Sequence, residues 1–70
     1  VKLKLTRKDR ALCQLLVEGC GNREIAAKTG LALRTVKHHF QEMFARNGIR
    51  TGIKRVKLAV RFYRENLPSC

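Results

Sequence analysis

The chain has 70 residues, enough for one thin core, because a chain this short buries only about 60% of the surface its unfolded form exposes. Its 16 Lys and Arg against 5 Asp and Glu give a formal net charge of +11, which favours a polyanionic partner and salt-sensitive association. No apolar run reaches the roughly 18 residues of a membrane span, and the opening VKLKLTRK lacks the apolar core of a signal peptide.

Val1 to Leu5 alternates apolar and basic residues and reads as a lead-in segment. Thr6 is an N-cap candidate, with Asp9 three residues on in the place of a capping-box acid. The first helix is expected over residues 7–18, with Ala11, Leu12, Leu15 and Leu16 as its inner stripe. Gly19 suits the left-handed position that closes it. Cys13 and Cys20 fall among apolar residues and are expected as small core filler. With Cys70 the cysteines are odd in number and form no C-x-x-C pair, so a reducing, cytoplasmic setting is expected.

A short second helix, 22–29, follows, capped by Gly21 or Asn22. The Gly21 choice places Glu24 at the third helical position, where its charge suits the positive helix end. Gly30 breaks the chain, and a third helix is expected over 33–47. Small Ala26, turning Gly30 and branched Val36 are spaced as in a helix-turn-helix, whose helices cross at about 90–120°. Leu33, Val36, Phe40, Met43 and Phe44 fall within about 100° of arc, while Arg34, His38 and Gln41 lie well away from it. Lys37 stands at the border. Asn47-Gly48 ends the helix, and Ile49 is placed to fold back on its last turn. A fourth helix is expected over 52–66, capped by Thr51 and stopped by Pro68. It carries two apolar stripes. Ile53, Val56, Val60, Tyr63 and Leu67 are expected to close the core, leaving Leu58 and Phe62 exposed or covered by a second subunit. The fold class is all-α, a compact four-helix domain across residues 1–70.

From Leu5 to Val60 the chain resembles the DNA-binding domain of the LuxR/FixJ-type (GerE-type) transcription regulators. The resemblance is carried by Leu5-Thr6, Asp9, Leu12, Gly19 and the run Asn22-Arg23-Glu24-Ile25-Ala26, then by Gly30-Leu31, Arg34-Thr35-Val36-Lys37, His39 and Gly48-Ile49. It implies that the second and third helices form the helix-turn-helix and that two copies pair on DNA through the last helix. It also raises the prospect that the chain is the C-terminal output domain of a longer regulator. The sequence departs from the family's pattern where serine caps become Gly21 and Ala32, where a leucine becomes Asn47, and where an arginine becomes Gly52. His38 stands where the family commonly has a small apolar residue. Loss of the leucine at position 47 is expected to thin the packing beside Gly48.

Carried over by position, the base-facing residues are Lys37, His38 and Gln41. Their chemistry fits: Lys donates to guanine O6 and N7, and Gln pairs with adenine N6 and N7. Asn22, Arg23, Arg34, Thr35 and Arg50 are phosphate candidates, two of them near helix N-termini where backbone N–H groups favour an anion. Arg46, Lys54 and Arg55 are expected to add only diffuse attraction. Leu58 and Phe62 are the expected dimer contacts, flanked by Arg55 and Arg61. His38 and His39 point about 100° apart on a helix and have no converging third ligand, so neither metal nor cofactor is expected. No carboxylate pair, nucleophile–base set or phosphate loop suggests an enzyme. The expected function is sequence-specific binding of double-stranded DNA in transcription regulation, by a homodimer, with RNA polymerase as a further candidate partner and no membrane. The competing readings are a sigma-factor region 4-like promoter module and a protein-interaction module on the same scaffold.

Overall fold

Thr6 starts the first helix in extended conformation, its hydroxyl accepting from the Asp9 N–H while the Asp9 carboxylate accepts from the Thr6 N–H, both at 3.1 Å. In the computed structural model, which describes residues 2–66, four helices follow: α1 (Arg7–Val17), α2 (Asn22–Thr29), α3 (Leu33–Arg46) and α4 (Lys54–Glu65). α2 pairs with α3, α4 lies along α1, and α1 touches all three partners.

Two helices end in the same turn. After α1, the Gly19 N–H donates to the Leu16 carbonyl and the Cys20 N–H to that of Leu15. After α3, Gly48 and Ile49 make the matching bonds to Ala45 and Phe44. Both glycines have positive φ, 93° and 70°, which an L side chain rarely adopts. Between α2 and α3, Gly30 (φ 75°) turns the chain, with its N–H on the Ala26 carbonyl. Gly21 caps α2, and the Glu24 carboxylate accepts the Gly21 N–H at 3.1 Å.

The core is built from Leu12, Cys13 and Leu16 of α1, Ile25 of α2, Val36, Phe40 and Met43 of α3, and Leu58 and Phe62 of α4. Leu3, Cys20 and Ile49 fill its margins. On α1 the inner face is turned from the expected stripe, with Ala11 exposed and Leu15 half-buried; Cys13 is buried as core filler, as expected, with its thiol 3.6 Å from the Met43 sulfur. A helix contacting all three others needs a broader inner face than one stripe. Burial pushes the Cys13 thiol up to about 12, so this cysteine is packing and not a thiolate.

Asp9 is also buried, at 3% exposure. Burial alone would oppose its ionisation. The Thr6 backbone N–H and the Arg46 guanidinium outweigh that, and hold its carboxyl below the usual carboxylate value. Arg46 donates to Asp9 at 2.7 Å and to the Lys4 carbonyl at 3.3 Å, so it is a structural tie and not the diffuse attractor expected. The His39 ring lies on the other carboxylate oxygen, 3.6 Å away.

The lead-in segment is a strap. The Leu3 side chain is buried and its N–H donates to Glu65 at 2.7 Å. The Asn47 amide grips Lys4 by both backbone groups: its oxygen accepts the Lys4 N–H at 2.6 Å, and its nitrogen donates to the Lys4 carbonyl at 3.3 Å. Asn47, expected to thin the packing, instead fastens the strap to the end of α3.

α4 departs most from expectation. It starts at Lys54, because Gly52 is left-handed (φ 73°), and its N-cap is Ile53 and not Thr51, whose hydroxyl accepts from Lys57. Its inner face is Leu58 and Phe62, 0% and 5% exposed, so these residues are not available as dimer contacts. Ile53, Val56, Val60 and Tyr63 face outward at 71%, 54%, 40% and 56%. The physical reason lies beside the stripe. Arg55 and Arg61, which flank Leu58, find acceptors at the two glycine turns: Arg55 on the Cys20 carbonyl at 3.2 Å and Arg61 on the Asn47 carbonyl at 3.0 Å. Arginine can enter a protein interior where its donors are met, so those flanks permit burial. Leu67 and Pro68, also named for this helix, lie outside the described residues.

Candidate nucleic-acid interface

α3 carries the candidate face. Val36, Phe40 and Met43 point inward and fix the helix's rotation, with Leu33 and Phe44 half-buried at the edges. That setting leaves Arg34, Lys37, His38 and Gln41 exposed. These four and half-buried Thr35 line one shallow concavity. The structure therefore brings together five of the eight residues singled out for DNA.

The face is electropositive for two reasons. Its side chains include Arg34 and Lys37, and the first turn of α3 holds no acidic residue. Ala32, the N-cap, offers no side-chain acceptor, so the positive end of the helix is uncompensated by its own residues. Beside the face stands the Glu42 carboxylate, whose oxygen lies 3.4 Å from the His38 ring nitrogen four residues before it. That partner biases the orientation of His38, a feature legible in the i,i+4 spacing but missed.

A second hollow continues the first through Gln41. It is lined by Gln41, Phe44, Ala45, Ile49, Arg50 and Lys54. Arg50 is thereby joined to the α3 face, and so is Lys54, expected only as diffuse charge. Asn22 and Arg23 stand apart from both hollows, at the start of α2. Arg23 is exposed. The Asn22 side-chain oxygen accepts from Arg55, which fixes the amide and leaves its NH2, the donor of that side chain, free to turn to a phosphate. Among the described residues no group of three or more His, Cys, Asp or Glu could hold a metal ion, and no helix is long and apolar enough to cross a membrane.

Residues 3–60, which span the helix-turn-helix and part of α4, match the model of the family described as "Bacterial regulatory proteins, luxR family". The chain belongs to the luxR family. It is a non-catalytic DNA-binding domain of the kind used in transcription regulation. This luxR-family chain is 36% identical over 56 residues to the "Probable transcriptional regulatory protein SgaR" of Hyphomicrobium methylovorum. The aligned stretch covers 80% of the chain and 26% of that protein, so the chain spans about a quarter of the relative's length. No solved structure matches it significantly.

Proposed function

We propose that the chain reads double-stranded DNA by sequence, as the output domain of a longer transcription regulator, with α3 in the major groove. The observation that carries this reading is the exposed face of α3, where Lys37, His38 and Gln41 stand clear of the core beside Arg34 and Thr35. Lys37 and Gln41 donate to base edges, and His38 donates to guanine or packs on a thymine methyl. Arg34, Thr35 and Arg50 hold phosphates around them, with Arg23 and the Asn22 amide engaging the backbone from α2.

Two copies pair through the outward stripe of α4, centred on Val56, Val60 and Tyr63. This replaces the Leu58 and Phe62 pairing, since those side chains are committed to the core. The exposed stripe is apolar where a lone domain would gain from polar residues, and exposed apolar patches commonly mark association sites.

Selection of bound duplexes from a random pool tests both parts. Enrichment of an inverted repeat is expected. Absence of any enriched sequence would remove the base-reading role, and enrichment of single half-sites would remove the pairing. Arg23→Ala is expected to weaken binding to all duplexes alike and to flatten the salt dependence by about one phosphate contact, a log–log slope change of roughly 0.9.

A further inference from the structure

Arg55 belongs to α4 but its side chain serves the other helices. One guanidinium nitrogen donates to the Asn22 side-chain oxygen. The other donates to the Cys20 carbonyl at 3.2 Å. The guanidinium carbon stands 4.9 Å from the centre of the Phe40 ring, a cation–π distance. These partners lie in three separate places: the turn between α1 and α2, the first residue of α2, and the middle of α3. The α4 backbone itself lies along α1 and makes little contact with the helix-turn-helix.

Two of those partners are sequence neighbours of groups assigned to DNA. Asn22 precedes Arg23, and Phe40 precedes Gln41 and follows Lys37 by one turn. The planar fork of arginine can bridge two acceptors while its face covers a ring; a lysine ammonium, a compact point charge with no planar fork, cannot hold both acceptors and cover the ring at once. Burial also lowers the Arg55 pKa, the direction in which desolvation pushes any cation.

We infer that Arg55 is a positioning residue for sequence discrimination: it holds the start of α2 against the middle of α3, so that phosphate contacts from one and base contacts from the other fall in register on one duplex. This rests on the DNA-reading assignment of α3. A phosphate clamp that is loose relative to the recognition helix still binds DNA, but it no longer forces the base-reading side chains onto the right edges. Arg55 thus acts on specificity more than on affinity.

The test uses the 70-residue chain as wild type, Arg55→Lys, Arg55→Met, Asn22→Ala and the Arg55→Lys/Asn22→Ala pair. Each is titrated against the best selected duplex and a scrambled one over a range of salt, and melted in parallel. For Arg55→Lys, scrambled-duplex affinity is expected within about twofold of wild type with an unchanged salt slope, because the charge is kept. The ratio of selected to scrambled affinity is expected to fall about tenfold, and the double variant to be no worse than Arg55→Lys alone, as for two residues acting through one contact. An unchanged ratio in Arg55→Lys overturns the inference. So does an equal loss on both duplexes in step with melting temperature, which would mean packing alone. A loss confined to Arg55→Met, with the salt slope reduced by one phosphate, would make Arg55 a direct contact and overturn it too. If Arg55→Met does not fold, the lysine and Asn22 arms carry the decision. Wild type unable to tell the two duplexes apart would instead sink the DNA-reading assignment, and this inference with it.

Discussion

α3 and α4 are both amphipathic helices of similar length, yet they show their inner faces in different ways. α3 has one apolar arc, and apart from small Ala45 the residues opposite it are polar, so Val36, Phe40 and Met43 could only go inside. α4 has apolar residues on two sides, and it buries the smaller set. The difference teaches that apolar spacing fixes a helix's rotation only where one stripe exists. Where two compete, the polar neighbours decide, here Arg55 and Arg61 with carbonyl acceptors waiting at Cys20 and Asn47. The same difference separates the chemistry of the two outer faces: that of α3 carries Arg34 and Lys37, and that of α4 carries exposed Val56, Val60 and Tyr63, the stripe proposed above for pairing.

The comparison breaks first if α4 is cut on its inner side. Phe62→Ala should destabilise the domain by about 3–5 kcal/mol, measured by urea unfolding. A cost under about 1 kcal/mol would place Phe62 on the surface after all. On α3 the corresponding loss is functional. Lys37→Ala should reduce discrimination at one base pair by about 1–3 kcal/mol while leaving the melting temperature in place. Equal weakening on every sequence would demote Lys37 to a backbone contact.

The join between the two helices is next. Asn47→Ala removes the amide that grips Lys4 and should cost about 1–2 kcal/mol, with faster amide exchange at Leu3 and Lys4. The smallest effect on stability belongs to the outer side of α4. Val60→Glu should change unfolding free energy by only about 0.5 kcal/mol. It should nonetheless abolish pairing on an inverted repeat, seen as loss of the slower-migrating complex in a gel.

Much of this was legible in the residues. The three glycines at 19, 30 and 48 marked where helices end, and each takes the left-handed angle that only glycine adopts easily. Thr6 with Asp9, and Gly21 with Glu24, announced two helix starts by their spacing. The outward setting of His38 and Gln41 followed from the single arc of α3, while Lys37, at its border by spacing, is exposed as well. What stayed hidden depended on partners far along the chain. Nothing local in Asn47 says that it will bind the backbone at Lys4, 43 residues away. Nothing in Arg46 points to Asp9, or in Arg55 to Asn22. Long cationic side chains reach acceptors that a helical wheel does not contain, and so three arginines of α3 and α4 read as solvent charges when they are internal ties.

The strap also bears on how the domain can be observed. Residues 3 and 4 are sewn across the far ends of α3 and α4, so a fluorophore placed at Lys2 should rotate with the whole body, and its anisotropy should drop only when Asn47 or Glu65 lets go. A label there is a gauge of whether the strap is fastened to the ends of α3 and α4, readable without any DNA in the cuvette.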